Sequence, residues 1–197
     1  REPKDRARGL LKSDLRSCID AGVRHRAVPG SSAAGSYEWC GASAGYASWM
    51  PRSDYVESIR RRIGNDLLLL PAVTAVIRDG DRFLLARDAQ SSLWSLIGGG
   101  IEPGETPVDA VTREVLEETG ARIRIDGIVG AYGGAPLMAE YPNGDRVAYV
   151  TTAYRCRLIS APRPDMDELV ELGWFSRDAI ADLPRRDWID LVLADCS

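Results

Sequence analysis

The sequence predicts an α/β domain built on a mixed β-sheet over residues 50–197, preceded by a differently composed segment, residues 1–49. Three observations carry this expectation. Short runs rich in Val, Ile, Thr and Tyr alternate with stretches of helical periodicity, the pattern of strands interrupted by helices. Asp79-Gly80-Asp81 joins two apolar runs as a hairpin turn does, so part of the sheet is antiparallel. A Gly-rich stretch then runs into an acidic helix. About 145 residues are ample for one hydrophobic core.

The elements follow in order. Asp54 and Glu57 read as a capping pair for a helix with Tyr55, Val56, Ile59 and Ile63 on one face and Gly64 as its stop. Arg60, Arg61 and Arg62 on that helix read as a solvated basic face. Residues 72–78 and 82–87 are the two strands of the hairpin, and residues 93–97 lead to the Gly-rich loop. Thr106 is a good N-cap, Pro107 suits the first helical position, and Asp109 stands three residues after the cap. Gly120 ends that helix, and Val108, Val111 and Val115 should face a core. Residues 123–132 and 146–158 are longer strands, with a turn at Pro142-Asn143-Gly144-Asp145 before the second. Residues 172–175 form a short strand, Ser176 caps a brief helix to Leu183, and Asp187 starts a last helix through Leu193.

Composition removes several chemistries. His25 is the only histidine and lies outside the patterned region, which excludes triads and histidine-metal sites. Cys18, Cys40, Cys156 and Cys196 are far apart, as reduced cytoplasmic thiols are, and form no zinc or disulfide framework. No apolar run approaches the ~20 residues that span a membrane, and no signal-peptide pattern opens the chain. The net charge of −4 argues against general nucleic-acid binding.

Residues 1–49 carry 8 basic and 5 acidic residues, against 17 and 24 in the remainder, and hold both lysines. They lack a sustained apolar period and are read as an extension outside the core, either upstream sequence translated in frame or an appended leader. The alternative is a partner-binding arm anchored by Trp39, Tyr46 and Trp49. A brief helix fits residues 10–23, and Met50 is the first methionine.

The chemistry concentrates in residues 99–121. Glu114, Glu117 and Glu118 fall on one helical stripe, where three carboxylates repel each other. A divalent cation removes that repulsion, and oxygen-only ligands suit Mg²⁺, with Mn²⁺ as a substitute. Arg113 is one turn before Glu117 and can orient the carboxylates, while Glu105 in the loop can hold Arg113. Gly99, Glu105, Arg113, Glu114, Glu117, Glu118 and Gly120 coincide by chance about once in 10⁸ windows at ordinary residue usage.

Their spacing resembles the Nudix box, G-x5-E-x7-R-E-U-x-E-E-x-G-U with U apolar; Val115 and Ala121 fill the apolar places. The family commonly has Pro before the paired glycines, where Ile97 stands here. The resemblance covers residues 94–121 tightly and 52–195 loosely. It implies a mixed sheet sandwiched between helices. It also implies metal-dependent hydrolysis of a pyrophosphate bond in a nucleoside diphosphate derivative. Glu114 and Glu118 would be direct metal ligands, with Glu117 close behind and the Gly98 carbonyl completing the site. The substrate would be a small nucleotide; a homodimer stays open.

Substrate residues are less sharply marked. Arg87 ends a strand before the box and can contact substrate or be solvated; Trp94 can stack a base or pack in the core. Pro136, sixteen residues after Gly120, resembles a marker of ADP-ribose pyrophosphatases. Glu140, Asp165, Asp167, Glu168 and Glu171 are candidates for a further catalytic carboxylate from outside the box, as many family members have. A nucleoside triphosphate pyrophosphatase that sanitises oxidised nucleotides is the rival enzyme. A Nudix-fold sensor without hydrolysis is the rival of another class.

Overall fold

The computed structural model describes residues 53–196. The expectations for residues 1–49, with their short helix and aromatic anchors, lie outside the described residues.

Helix α1 is Asp54–Ile63, and its cap is Ser53, not the expected Asp54–Glu57 pair. Ser53 is extended and its hydroxyl accepts from the Val56 amide at 3.3 Å, whereas Asp54 is already helical. Arg60 also departs from expectation: it is buried, not solvated. It donates to the carbonyls of Gly64, Asp66 and Arg146, and Asp145 stands 3.8 Å away. The helix end and the start of a distant strand supply carbonyls that a guanidinium fork can gather. Arg61 and Arg62 are exposed.

The strands are β1 Leu68–Asp79, β2 Arg82–Asp88, β3 Trp94–Ser95, β4 Ile97–Gly100, β5 Ile123–Tyr132, β6 Met138–Glu140, β7 Arg146–Leu158 and β8 Leu169–Ser176. β5 and β7 have the expected bounds; β1 begins four residues early and β8 three. Pro71 hid the start of β1. It sits opposite Val150 of β7, where β4 has not yet joined the other side, so the missing N–H is tolerated. The sheet runs β3-β2-β1-β7-β5, with β4 on β1, β6 on β7 and β8 on β2. β1 and β7 are parallel, and the other strand pairs are antiparallel. The sheet is mixed, as expected.

Helices cover both faces. Helix α2, Pro107–Thr119, is capped by Thr106 and stopped by Gly120 in the left-handed region. Helix α3 is Arg177–Ala181, capped by Ser176, and α4 is Ile189–Ala194. Along β1 the side chains alternate. Val73, Ala75 and Ile77 join Ala110, Val111 and Val115 of α2, while Ala72 and Val76 join Ile180, Ile189 and Val192 of α3 and α4. A strand covered on both faces has no polar side, which is why β1 reads as continuous apolar sequence. Val108, expected in the core, is exposed in the first turn of α2. Ala110 fills that place instead.

Candidate active site

Backbone pairing prepares the site. β4 lies against β1 with Gly98 opposite Thr74 and Gly99 opposite Val73. A Cβ on Gly98 would strike the Val73 carbonyl, and one on Gly99 would strike the Glu114 carboxylate. The glycines therefore let β4 close on β1 and let Glu114 lie against β4.

Arg113 binds the loop to the helix. Its Nε donates to Glu105 Oε1 at 2.8 Å and its Nη2 to Glu105 Oε2 at 3.0 Å and to the Gly100 carbonyl at 2.9 Å. Its Nη1 reaches Glu114 at 2.8 Å and Glu117 at 3.0 Å. The bond from Arg113 is the largest influence on Glu105 and holds its carboxyl below the usual range; Glu105 in turn raises Arg113 further. Glu105 Oε2 also accepts from the Glu102 amide, which fixes the loop.

Burial and negative charge dominate around Glu118. It is 4% exposed, and burial, then Glu114, Glu168, Asp165 and Glu117, push its carboxyl well above the usual range. Glu114 is raised too, mainly by burial, with Arg113 opposing. Glu117 is largely exposed. Among the described residues, no three acidic, cysteine or histidine side chains already stand grouped as a cation site, and Arg113 draws Glu114 and Glu117 toward itself. The donor set nonetheless fits a hard divalent cation: Glu118 is a buried carboxylate crowded by other carboxylates, and all the candidate ligands are oxygens.

The loop before β8 brings in one more carboxylate. Asp165 Oδ1 accepts from the amides of Asp167, Glu168 and Leu169, at 3.0, 3.1 and 2.9 Å. The Asp165 amide donates to the Glu118 carbonyl and the Arg163 amide to that of Thr119, so the loop satisfies the end of α2. Glu168 thereby shares with Glu118 a small cavity of about 20 Å³, also lined by Asp88, Ser95 and Arg186. Burial, then Asp165, pushes the Glu168 carboxyl up to about 7. The other candidates stand differently: Glu171 pairs with Arg87 at 2.8 Å, Asp167 is exposed, and Glu140 lies exposed on β6.

Arg87 is half-exposed in that pairing with Glu171. Trp94 is 6% exposed, its ring edge-to-face with Phe175 at 4.8 Å between centroids, so it packs in the core. Two neighbours of the site gave no sequence signal. Asp88 stands just after the expected strand over residues 82–87 and is buried beside Arg186. Arg186 is the second of an Arg pair, a pattern that usually marks a solvated surface, and here its side chain is 3% exposed.

A family model described as the NUDIX domain matches residues 68–196. A MutT-like protein of Streptomyces ambofaciens is 32% identical over 107 residues, 54% of this chain and 63% of that one. The NAD-capped RNA hydrolase NudC of Pseudomonas aeruginosa (strain LESB58) is 31% identical over 140 residues, 64% of this chain and 45% of that one. The chain thus spans less than two thirds of the length of either relative. The crystal structure of the MutT NUDIX hydrolase from Burkholderia pseudomallei superposes with a TM-score of 0.57 over 66% of this chain and 99% of that one, at 23% identity, a likeness of fold. The match over residues 68–196 takes in the Gly-rich loop, α2 and every strand of the sheet, and this chain belongs to the Nudix family.

Proposed function

We propose that this chain hydrolyses a pyrophosphate bond in a nucleoside diphosphate derivative, with an ADP-ribose-like substrate as the first candidate. Glu114, Glu117, Glu118 and the Gly98 carbonyl would hold a divalent cation, Mg²⁺ by preference and Mn²⁺ in its place. The observation that carries this reading is the burial of Glu118 among carboxylates at the C-terminal half of α2. A bound divalent cation supplies charge neutralisation at the phosphate oxygens and a lowered pKa for its water.

The chain's own residues have distinct tasks. Arg113 orients Glu114 and Glu117 and is fixed by Glu105. Glu168, with its carboxyl near 7, is matched to accept a proton near neutral pH. The water oxygen forms a new bond to phosphorus, the anhydride P–O bond breaks, and the proton goes to Glu168. Arg87, half-exposed near the end of β2, is the candidate substrate contact. The cytoplasm is the compartment that fits the reduced thiols; among the described residues, no helix is long and apolar enough to cross a membrane.

A release screen tests the reading: ADP-ribose, nucleotide sugars, NAD⁺, NAD-capped RNA, dinucleoside polyphosphates and nucleoside triphosphates, each with Mg²⁺ or Mn²⁺. Cleavage of the diphosphates and not the triphosphates supports it. Preference for triphosphates selects the rival enzyme. Tight nucleotide binding without cleavage selects the sensor.

A further inference from the structure

The C-terminal segment reaches the carboxylate cavity through one buried side chain. Residues 184–186 lie alongside β3: the Trp94 amide donates to the Pro184 carbonyl at 2.9 Å, and the Arg186 amide to the Trp94 carbonyl at 3.0 Å. That pairing sends the Arg186 side chain inward. Its Nη2 donates to Ser91 Oγ at 3.2 Å and stands 3.8 Å from Asp88 Oδ2. Asp88 builds the turn between β2 and β3. Its Oδ1 accepts from the Gln90 amide, the Ser91 amide and the Ser91 hydroxyl, at 3.0, 2.6 and 2.8 Å. The next residue closes the chain of bonds: the Ala89 amide donates to the Glu168 carbonyl at 2.8 Å.

We propose that Arg186 is a positioning residue: through Ser91 and Asp88 it fixes the turn that holds Glu168, and so sets where the Glu168 carboxylate stands beside Glu118. The proposal rests on the reading of Glu168 as the proton-accepting carboxylate. Three features of the geometry support it. Arg186 lines the same cavity as Glu118 and Glu168. Two of its partners, Ser91 and Asp88, lie on the turn bonded to the Glu168 backbone. The Glu168 loop is tied at its other end to α2 through Asp165, so a shift of the turn must appear at Glu168.

The test uses the full chain with Ser91→Ala and Arg186→Lys, each in the wild type and in a Glu168→Gln background. Ser91→Ala is the milder variant and keeps both charges, should Arg186→Lys fold poorly. Turnover is read on ADP-ribose, NAD⁺ and dGTP with Mg²⁺. Amide exchange is read at Ala89 and across α2. Arg186→Lys should lower kcat about tenfold and Ser91→Ala about threefold, with KM within about twofold. In the Glu168→Gln background both losses should shrink to within about twofold, because groups acting as one unit are not additive. Exchange at Ala89 should quicken about tenfold while α2 is unchanged. Equal losses in the two backgrounds, or unchanged exchange at Ala89, overturn the positioning role alone. A Glu168→Gln protein with wild-type turnover overturns the reading of Glu168 and this proposal with it. The exchange measurement decides even where none of the three substrates is cleaved.

Discussion

Arg113 and Glu105 form a two-point ion pair across the turn that begins α2, Nε to Oε1 at 2.8 Å and Nη2 to Oε2 at 3.0 Å. The geometry leaves Nη1 for Glu114 and Glu117 and directs Nη2 to the Gly100 carbonyl as well. One guanidinium thus sets both the loop and two carboxylates. Arg113→Lys keeps the charge and loses the fork, so kcat should fall about 10- to 100-fold while the chain stays folded. Kinetics and a thermal melt of that variant check this; wild-type kcat would remove the orienting role.

Gly98 and Gly99 are adjacent, yet substitution should break different things. Alanine at Gly98 meets the Val73 carbonyl, which is backbone in a paired strand, so Gly98→Ala should unfold the chain at a markedly lower temperature. Alanine at Gly99 first meets the Glu114 carboxylate, the far end of a flexible side chain. Gly99→Ala should therefore melt within a few degrees of wild type while kcat falls about tenfold or more. Melts that rank the two variants the other way contradict the assignment.

Much of the fold was legible because its signals are local. The hairpin at Gly80, the capped helix from Thr106 to Gly120 and the two long strands each carry their own period and punctuation. The spacing that marked Glu105, Arg113, Glu114, Glu117 and Glu118 was legible for the same reason, since one loop and one helix hold all five. What escaped depends on residues far apart in the chain. Arg60 was read as surface because two of its partners, Asp145 and the Arg146 carbonyl, lie more than eighty residues away. The placement of Glu168 beside Glu118, alone among five acidic candidates in lining that cavity, depends on the Asp165 turn and the end of α2 together. Val108 failed for a simpler reason: it stands exposed in the first turn, and the apolar period alone does not say where cover ends.

Metal-free stability should depend on pH in a definite direction. Glu118 and Glu168 have raised carboxyls, so the folded chain keeps protons that the unfolded chain releases above about 4.5. Their stabilising contribution is present in full below that value, and the part from Glu168 is lost as pH rises through about 7. Glu105 is lowered and acts oppositely, losing its contribution as pH falls below 4.5. In EDTA the melting temperature should be higher at pH 6 than at pH 8 by a few degrees, and Glu168→Gln should flatten that slope. A melting temperature that rises from pH 6 to pH 8 contradicts the assignment.

Trp94 is a core residue with its ring against Phe175, so Trp94→Ala should cost about 3–5 kcal/mol. Trp94→Phe should recover part of that and leave KM within about twofold. Denaturant unfolding and Michaelis kinetics of the two variants check it; a large KM change at unchanged stability would instead mark a base-stacking role.

Glu118 is the residue through which α2 would hold a divalent cation. The most direct measurement is Mn²⁺ titration followed by electron paramagnetic resonance, on the wild type and on Glu118→Gln. The wild type should bind Mn²⁺ saturably. Glu118→Gln should bind at least tenfold more weakly, with kcat lower by about 10²–10⁴ and an unchanged fold. A Glu118→Gln protein that binds Mn²⁺ as tightly as the wild type and turns over at a similar rate would contradict that role of Glu118.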